Sequence, residues 1–350
     1  MKGRARRLHR FTDGVPAGWG VASFQGKAGQ PMSDLTIEIF DAGEAGNDAD
    51  WLAIMDEIGE EAGYFDPLGK RHSAFFSDQG PVLLVSFETL HGIRGAGGGQ
   101  MPLGYQIAAP RGWSSLTIVA HDDSWYRDPA VWGYFDRLTD DSFFEDFDRV
   151  VFYGAGMGGY GAAAFSVVAP GATVLALAPQ ASLDLGLAEW DKRFPSARRL
   201  DFISRFGFAP DMVEGAEQVF LLYDPLIQVD AVHVAFFRGA HVTRLRANHI
   251  GRDPQAELAR MGLLRPLLDS ACAGTLTARH FARLWRARRT HPQYLGRLVG
   301  RVQTSGNVPR LVRVLRAALE KVDHPQLRAA LAKAEETLAR QKLDAARRSS

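Results

Sequence analysis

Short apolar runs set off by polar, turn-forming segments dominate the middle of the chain. Pro81–Phe87 (PVLLVSF), Leu116–Ala120 (LTIVA), Val150–Tyr153 (VVFY), Thr173–Leu177 (TVLAL) and Val219–Tyr223 (VFLLY) are rich in branched side chains. Runs of this kind predict strands. Their lack of polar alternation predicts burial on both faces of a parallel sheet. Val242–Leu245 (VTRL) reads as a last strand and Leu35–Phe40 (LTIEIF) as an early one. Ala130–Leu138 and Tyr160–Val168 read as helices between strands. This alternation predicts an α/β fold with a mostly parallel, doubly wound sheet.

The pattern changes toward both ends. Residues 1–30 combine a basic tail with Gly- and Pro-containing sequence and are expected to be poorly ordered. Gly92–Gly99 (GIRGAGGG) reads as a flexible loop. From Leu276 onward, Ala, Leu and Arg recur at helical spacing. His291-Pro292-Gln293 returns as His324-Pro325-Gln326, 33 residues later, and predicts helices over 293–303 and 307–321. One such hairpin has tetratricopeptide size, but it is too short to stand as a solenoid. The expected organisation is a sheet domain over 31–275 and a basic helical appendage with tetratricopeptide-like spacing over 276–350.

Charge sharpens that division. The net charge is +1, yet residues 276–350 carry 17 Lys/Arg against 5 Asp/Glu, and residues 11–275 carry 19 against 35. Such asymmetry suits either a protein partner for the basic helices or their docking on the chain's own acidic body. No nucleic-acid motif accompanies it, so nucleic acid is not the expected partner. The single cysteine, Cys272, excludes an internal disulfide framework and any multi-cysteine metal site. It fits a reducing, cytoplasmic setting. No run reaches the length of a membrane span, and the basic start lacks the apolar stretch of a secretory signal.

Arg149–Phe165 (RVVFYGAGMGGYGAAAF) carries the most information. Gly154-Ala155-Gly156-Met157-Gly158-Gly159 fits a nucleophile elbow at every position but one. Gly156 stands where Ser, Cys or Asp would attack. Glycine adopts the required backbone without strain and offers no attacking atom. Gly154-x-Gly156-x-x-Gly159 is equally a dinucleotide fingerprint. That reading needs an acid after the next strand, and the nearest, Asp184, lies well beyond Leu177.

Two later features follow the order nucleophile, acid, histidine. Val219–Tyr223 runs into Asp224, with Asp230 close behind, and Val242–Leu245 runs into Arg246-Ala247-Asn248-His249. On these residues, over roughly 80–275, the chain resembles the α/β-hydrolase superfamily as a divergent member with its nucleophile changed to glycine. The resemblance implies Asp224 as the acid (Asp230 as fallback) and His249 as the histidine. It also implies the N–H of Met157 as one oxyanion donor, with a second from a loop at Phe87–Glu88. It requires no cofactor and no metal. It implies a small ligand above Gly156 and either a ligand-binding pseudoenzyme or a hydrolase or acyltransferase with a displaced nucleophile or His-activated water. A nucleotide-binding oxidoreductase is the reading from another class. Bacterial chains of this type are sometimes labelled phosphoadenosine phosphosulfate reductase. That chemistry needs a catalytic cysteine near the end, whereas Cys272 reads as the buried end of an apolar helix.

Ser86 and Ser124 also end predicted strands and are the candidate displaced nucleophiles. His121-Asp122-Asp123 reads as a solvated loop, because three adjacent side chains rarely converge on one ion. Trp125, Trp132, Trp190 and Trp285 read as packing residues. Asp136–Asp148 (DRLTDDSFFEDFD) reads as a solvated acidic edge.

Overall fold

The computed structural model describes residues 39–349. Its strands are β1 (Gly63–Leu68), β2 (His72–Ser77), β3 (Val82–Thr89), β4 (Ser114–Ala120), β5 (Arg149–Ala155), β6 (Thr173–Leu177), β7 (Gln218–Tyr223) and β8 (Val242–Arg246). They form one sheet in the order β1-β2-β4-β3-β5-β6-β7-β8. β1 and β2 pair antiparallel with their neighbours, and β4 through β8 run parallel. Four of the five apolar runs, and Val242–Leu245, lie wholly within strands, and Pro81–Phe87 does so from Val82 onward. The strand predicted at Leu35–Phe40 falls outside the described residues except for Ile39 and Phe40, which are not in a strand.

Successive side chains of a strand point to opposite faces, and the sheet uses both. Leu83, Val85 and Phe87 face a core closed by helices Pro129–Asp140 and Met157–Phe165. Leu84, Tyr153, Leu175 and Phe220 face a second core closed by helix Leu264–Cys272 and the helices that follow it. A third cluster ties helix Asp48–Ala62 to β2 and β4 through Trp51, Met55, Phe75 and Val119. At about 25 cal/mol per Å² of apolar surface removed from water, such layers are the main source of stability.

The C-terminal helices share the second core. Tyr294, Leu295, Val299, Leu311, Leu315 and Leu327 belong to the same apolar cluster as Val151 and Leu222 of the sheet. Arg297 adds polar contacts, donating to the Glu257 carboxylate and to the His249 carbonyl at 2.7 Å. The repeated tripeptide occupies equivalent positions. Pro292 and Pro325 each begin a helix, Pro292–Thr304 and Pro325–Ser349, and the Nδ1 atoms of His291 and His324 are both buried without a partner. Proline suits the first helical position because its missing N–H would have no partner there.

Two expectations need correction. The glycine-rich stretch is partly helical, with Leu90–Gly95 forming a turn and a half capped by the Thr89 hydroxyl. The Asp136–Asp148 edge is not wholly solvated. Phe144 and Phe147 are buried and Phe143 packs on the same core, because β5 must be covered where it enters the sheet.

Candidate functional site

The turn from β5 into helix Met157–Phe165 is built by exclusion. A Cβ on Gly154 would lie 2.0 Å from the Gly158 carbonyl oxygen, and one on Gly158 would lie 2.2 Å from the Phe87 carbonyl oxygen. Both obstacles are backbone, so only glycine allows helix, turn and β3 to approach this closely. Gly156 differs. Its φ and ψ are 56° and −118°, a conformation that L side chains rarely adopt, yet a Cβ built there meets nothing within 4 Å. Its N–H donates to the Leu177 carbonyl at 2.8 Å and its carbonyl accepts from Tyr160 at 3.0 Å. The space beside the Gly156 Cα is therefore open, although its backbone conformation disfavours a side chain.

Gly156 lines a cavity of about 1050 Å³. β3 lies between β4 and β5, so the chain reverses its direction of travel across the sheet at β3. The cavity lies against Phe87–Thr89 and Ala155–Gly158, at the carboxyl ends of β3 and β5. Open α/β sheets gather ligands at such a switch point.

Two consecutive residues with positive φ, Trp125 (48°) and Tyr126 (55°), form part of the wall. Their strained turn is fixed from several sides. The Trp125 indole N–H donates to Gln180 Oε1 at 3.2 Å, and the Trp125 backbone N–H points at Met157 Sδ at 3.2 Å. The Tyr126 hydroxyl donates to the Glu88 carbonyl at 3.0 Å. Bulky residues held at positive φ persist only where the surroundings over-determine them, and they concentrate at functional sites.

Asp224 and the 249–251 loop meet, but the acid and the histidine are not joined by a side-chain hydrogen bond. Asp224 Oδ2 accepts from the Gly251 N–H at 3.1 Å and Oδ1 from the Leu226 N–H at 3.0 Å. His249, at φ 64°, sets its ring against Tyr294 at 6.0 Å between centroids. Burial lowers its pKa; the Asp224 charge opposes the shift, and Arg301 and Arg297 add to it. Neither Asp224 nor His249 is in the cavity wall; Asp230 is.

Asp230 belongs to a network that the sequence did not reveal. Arg193 Nη1 donates to Asp230 at 2.6 Å and Nη2 to Asp191 at 2.8 Å. His233 Nε2 lies 3.0 Å from Asp191 Oδ2, and its Nδ1 accepts from the Ala181 N–H at 3.2 Å. An accepting Nδ1 requires the proton on Nε2, so His233 is neutral and has no lone pair left to act as a base. Burial works to raise the Asp191 pKa, but the hydrogen bonds from Arg193 and His233 outweigh it and hold the carboxyl at about 2. Burial raises Asp230 despite Arg193.

The other sequence candidates are accounted for. Phe87 and Glu88 lie inside β3 rather than in a loop. Burial raises the Glu88 pKa while its carboxylate accepts from the N–H groups of Gly104 and Leu103 and from the Ser86 hydroxyl. Ser86 is thereby occupied. Ser124 Oγ lies 2.6 Å from His72 Nε2, and His72 Nδ1 lies 3.9 Å from Asp128 Oδ2. This looks like a serine–histidine–acid array, but Ser124 and His72 are both 0% exposed and neither lines the cavity. Ser124 Oγ also accepts from the Tyr126 N–H at 3.2 Å. The pair clamps the strained turn from behind.

His121, Asp122 and Asp123 diverge: His121 bonds Ser73, and Asp122 pairs with Arg71 at 2.6 Å. No group of three or more His, Cys, Asp or Glu residues arranged for a metal occurs among the described residues. Cys272 is buried, and burial pushes its thiol up to about 12, which disfavours the reactive thiolate. Trp125 and Trp285 are buried, whereas Trp190 is exposed. Among the described residues, no helix is long and apolar enough to cross a membrane.

No protein-family model matches the chain, and no curated protein matches it. Similar solved structures include the capsule O-acetyltransferase of Neisseria meningitidis serogroup A, at 11% identity over 58% of this chain and 92% of that one, with a TM-score of 0.38. A Pyrobaculum calidifontis esterase is 14% identical over 59% of this chain and 82% of that one, with a TM-score of 0.37. The metagenomic carboxylesterase EstE1 is 11% identical over 66% of this chain and 99% of that one, with a TM-score of 0.37.

Proposed function

We propose that this chain is an α/β-hydrolase-like protein that binds a small ligand above an elbow without a nucleophile. One observation carries the reading. Gly156 holds the strained elbow backbone, has room for a side chain, and faces a cavity of about 1050 Å³ at the switch point of the sheet. Glycine supplies no hydroxyl, thiol or carboxylate, so a covalent acyl-enzyme cannot form there. Removing the nucleophile from a triad enzyme costs on the order of a millionfold in rate.

The placement of the other groups supports the same reading. His249 packs toward the appendage, His233 has both ring nitrogens engaged, and Ser124 is enclosed. None presents an activated nucleophile or free base to the cavity. The dinucleotide reading is weaker. β6 is followed by Ala178-Pro179-Gln180, Gln180 is held by Trp125, and Asp184 caps its own short helix through the Gly186 N–H at 2.9 Å.

The test has two parts. A fluorophosphonate probe should leave the protein unlabelled. The neutral fluorophore N-phenyl-1-naphthylamine should bind saturably, and Ala256→Trp, which fills the cavity from helix Pro254–Arg260, should weaken it. Labelling of any serine, or binding indifferent to Ala256→Trp, would overturn the proposal.

A further inference from the structure

The wall of the cavity combines apolar side chains with arginines. Phe87, Ile93, Met101, Leu103, Met157 and Phe194 supply apolar surface. The segment running from β8 into helix Leu264–Cys272 supplies Arg252, Arg260 and Arg265. We infer that the ligand is an amphipathic anion, with its apolar body beside Gly156 and its acidic head at Arg252 and Arg265. This rests on the cavity reading above and adds the chemical class of the ligand.

Most of the charged side chains in the wall already have partners. Three of the lining carboxylates are committed. Glu88 accepts from Ser86, Leu103 and Gly104, Asp230 is paired with Arg193, and Asp253 caps helix Pro254–Arg260 through the Ala256 N–H at 2.9 Å. Asp123 lies on the loop after β4, not on the arginine segment. Two of the lining arginines are also committed, Arg193 to Asp191 and Asp230, and Arg260 to Glu257.

Arg252 and Arg265 are the remaining lining arginines. Arg252 makes no hydrogen bond or ion pair among the described residues. Arg265 donates only to neutral oxygens of Gln106, the carbonyl at 3.0 Å and the side-chain amide at 3.4 Å. A guanidinium without a carboxylate partner, lining a cavity that also offers apolar surface, suits a carboxylate or phosphate head, which it can bind through two parallel N–H donors.

A pair of fluorophores tests this on the full chain. The anion 8-anilinonaphthalene-1-sulfonate and neutral N-phenyl-1-naphthylamine share a ring system and differ in the acidic group. The anion should bind about tenfold more tightly, as expected for a charge-assisted contact. The double variant Arg252→Gln/Arg265→Gln should lose that advantage and keep the neutral probe, and Arg252→Lys/Arg265→Lys should retain most of it. Competition by decanoate and decyl phosphate, with decanol as the neutral control, identifies the preferred head. Equal binding of both fluorophores, or an advantage unchanged in the glutamine variant, would overturn the inference and leave the cavity reading standing. Failure of both probes to bind would overturn the two together.

Discussion

The Asp224 carboxylate accepts a hydrogen bond from the backbone N–H of Gly251, two residues beyond His249, at 3.1 Å. The acid therefore fastens the loop that carries the histidine instead of the imidazole itself. Asp224 is buried, and it serves a second N–H at Leu226. Asp224→Ala should cost on the order of 2 kcal/mol, because both N–H groups lose their acceptor. Urea unfolding measures the cost, and binding of N-phenyl-1-naphthylamine to the folded variant should change by less than about twofold.

Gly156 and Gly158 should respond unequally to one added methyl. Gly158→Ala drives a Cβ to 2.2 Å from the Phe87 carbonyl, and the obstacle is backbone. Overpacking of that kind should cost about 3 kcal/mol or more. Gly156→Ala meets no atom within 4 Å and bears only the strain of its sparsely populated backbone conformation, about 1–3 kcal/mol. Denaturant midpoints of the two variants check the order.

His72 makes stability depend on pH. Burial lowers its pKa from 6.5 to about 4, with Asp128 opposing the shift. The folded value lies below the unfolded one, so acid protonates the unfolded chain first. The contribution is complete above about pH 6.5, declines as pH falls below it, and is gone once pH passes about 4. Between pH 7 and pH 5 the loss should be about 2 kcal/mol. His72→Gln should be less stable at neutral pH and should show a flatter decline, measured by urea unfolding at both pH values.

Ser124→Ala removes the partner of His72 and of the Tyr126 N–H. A buried hydrogen-bond loss of this kind should cost about 1–3 kcal/mol. Because the turn at Trp125 and Tyr126 forms cavity wall, N-phenyl-1-naphthylamine should also bind less tightly, and fluorescence titration beside urea unfolding checks both effects.

Much of the sheet was legible because its central strands are continuous apolar runs, and the strand–turn–helix at 149–165 because close packing leaves glycine at fixed spacing. β1 and β2 were not. Gly63–Leu68 contains Asp66 and Pro67, which the edge position of β1 tolerates, and His72–Ser77 is buried despite beginning and ending on polar residues. In the site, Gly156 could be read from its neighbours, whereas the direction of the His249 ring depends on Tyr294, 45 residues later. The network joining Asp191, Arg193, Asp230 and His233 depends on a long irregular segment folding back over β6 and β7, for which periodicity gives no signal. The separation of committed from free arginines likewise exists only once the partners meet in space.

The most direct test of open space beside Gly156 is alkylation of Gly156→Cys by iodoacetamide, followed by intact-mass and peptide spectrometry. Cys272, the native cysteine, is buried and its thiol is pushed up to about 12, so the unmodified protein supplies the baseline. The expected result is one adduct at position 156, none at Cys272, and slower alkylation when N-phenyl-1-naphthylamine occupies the cavity. A folded Gly156→Cys protein that reacts no faster than the native one, or whose reaction ignores the bound probe, would contradict open space at Gly156 in the ligand cavity.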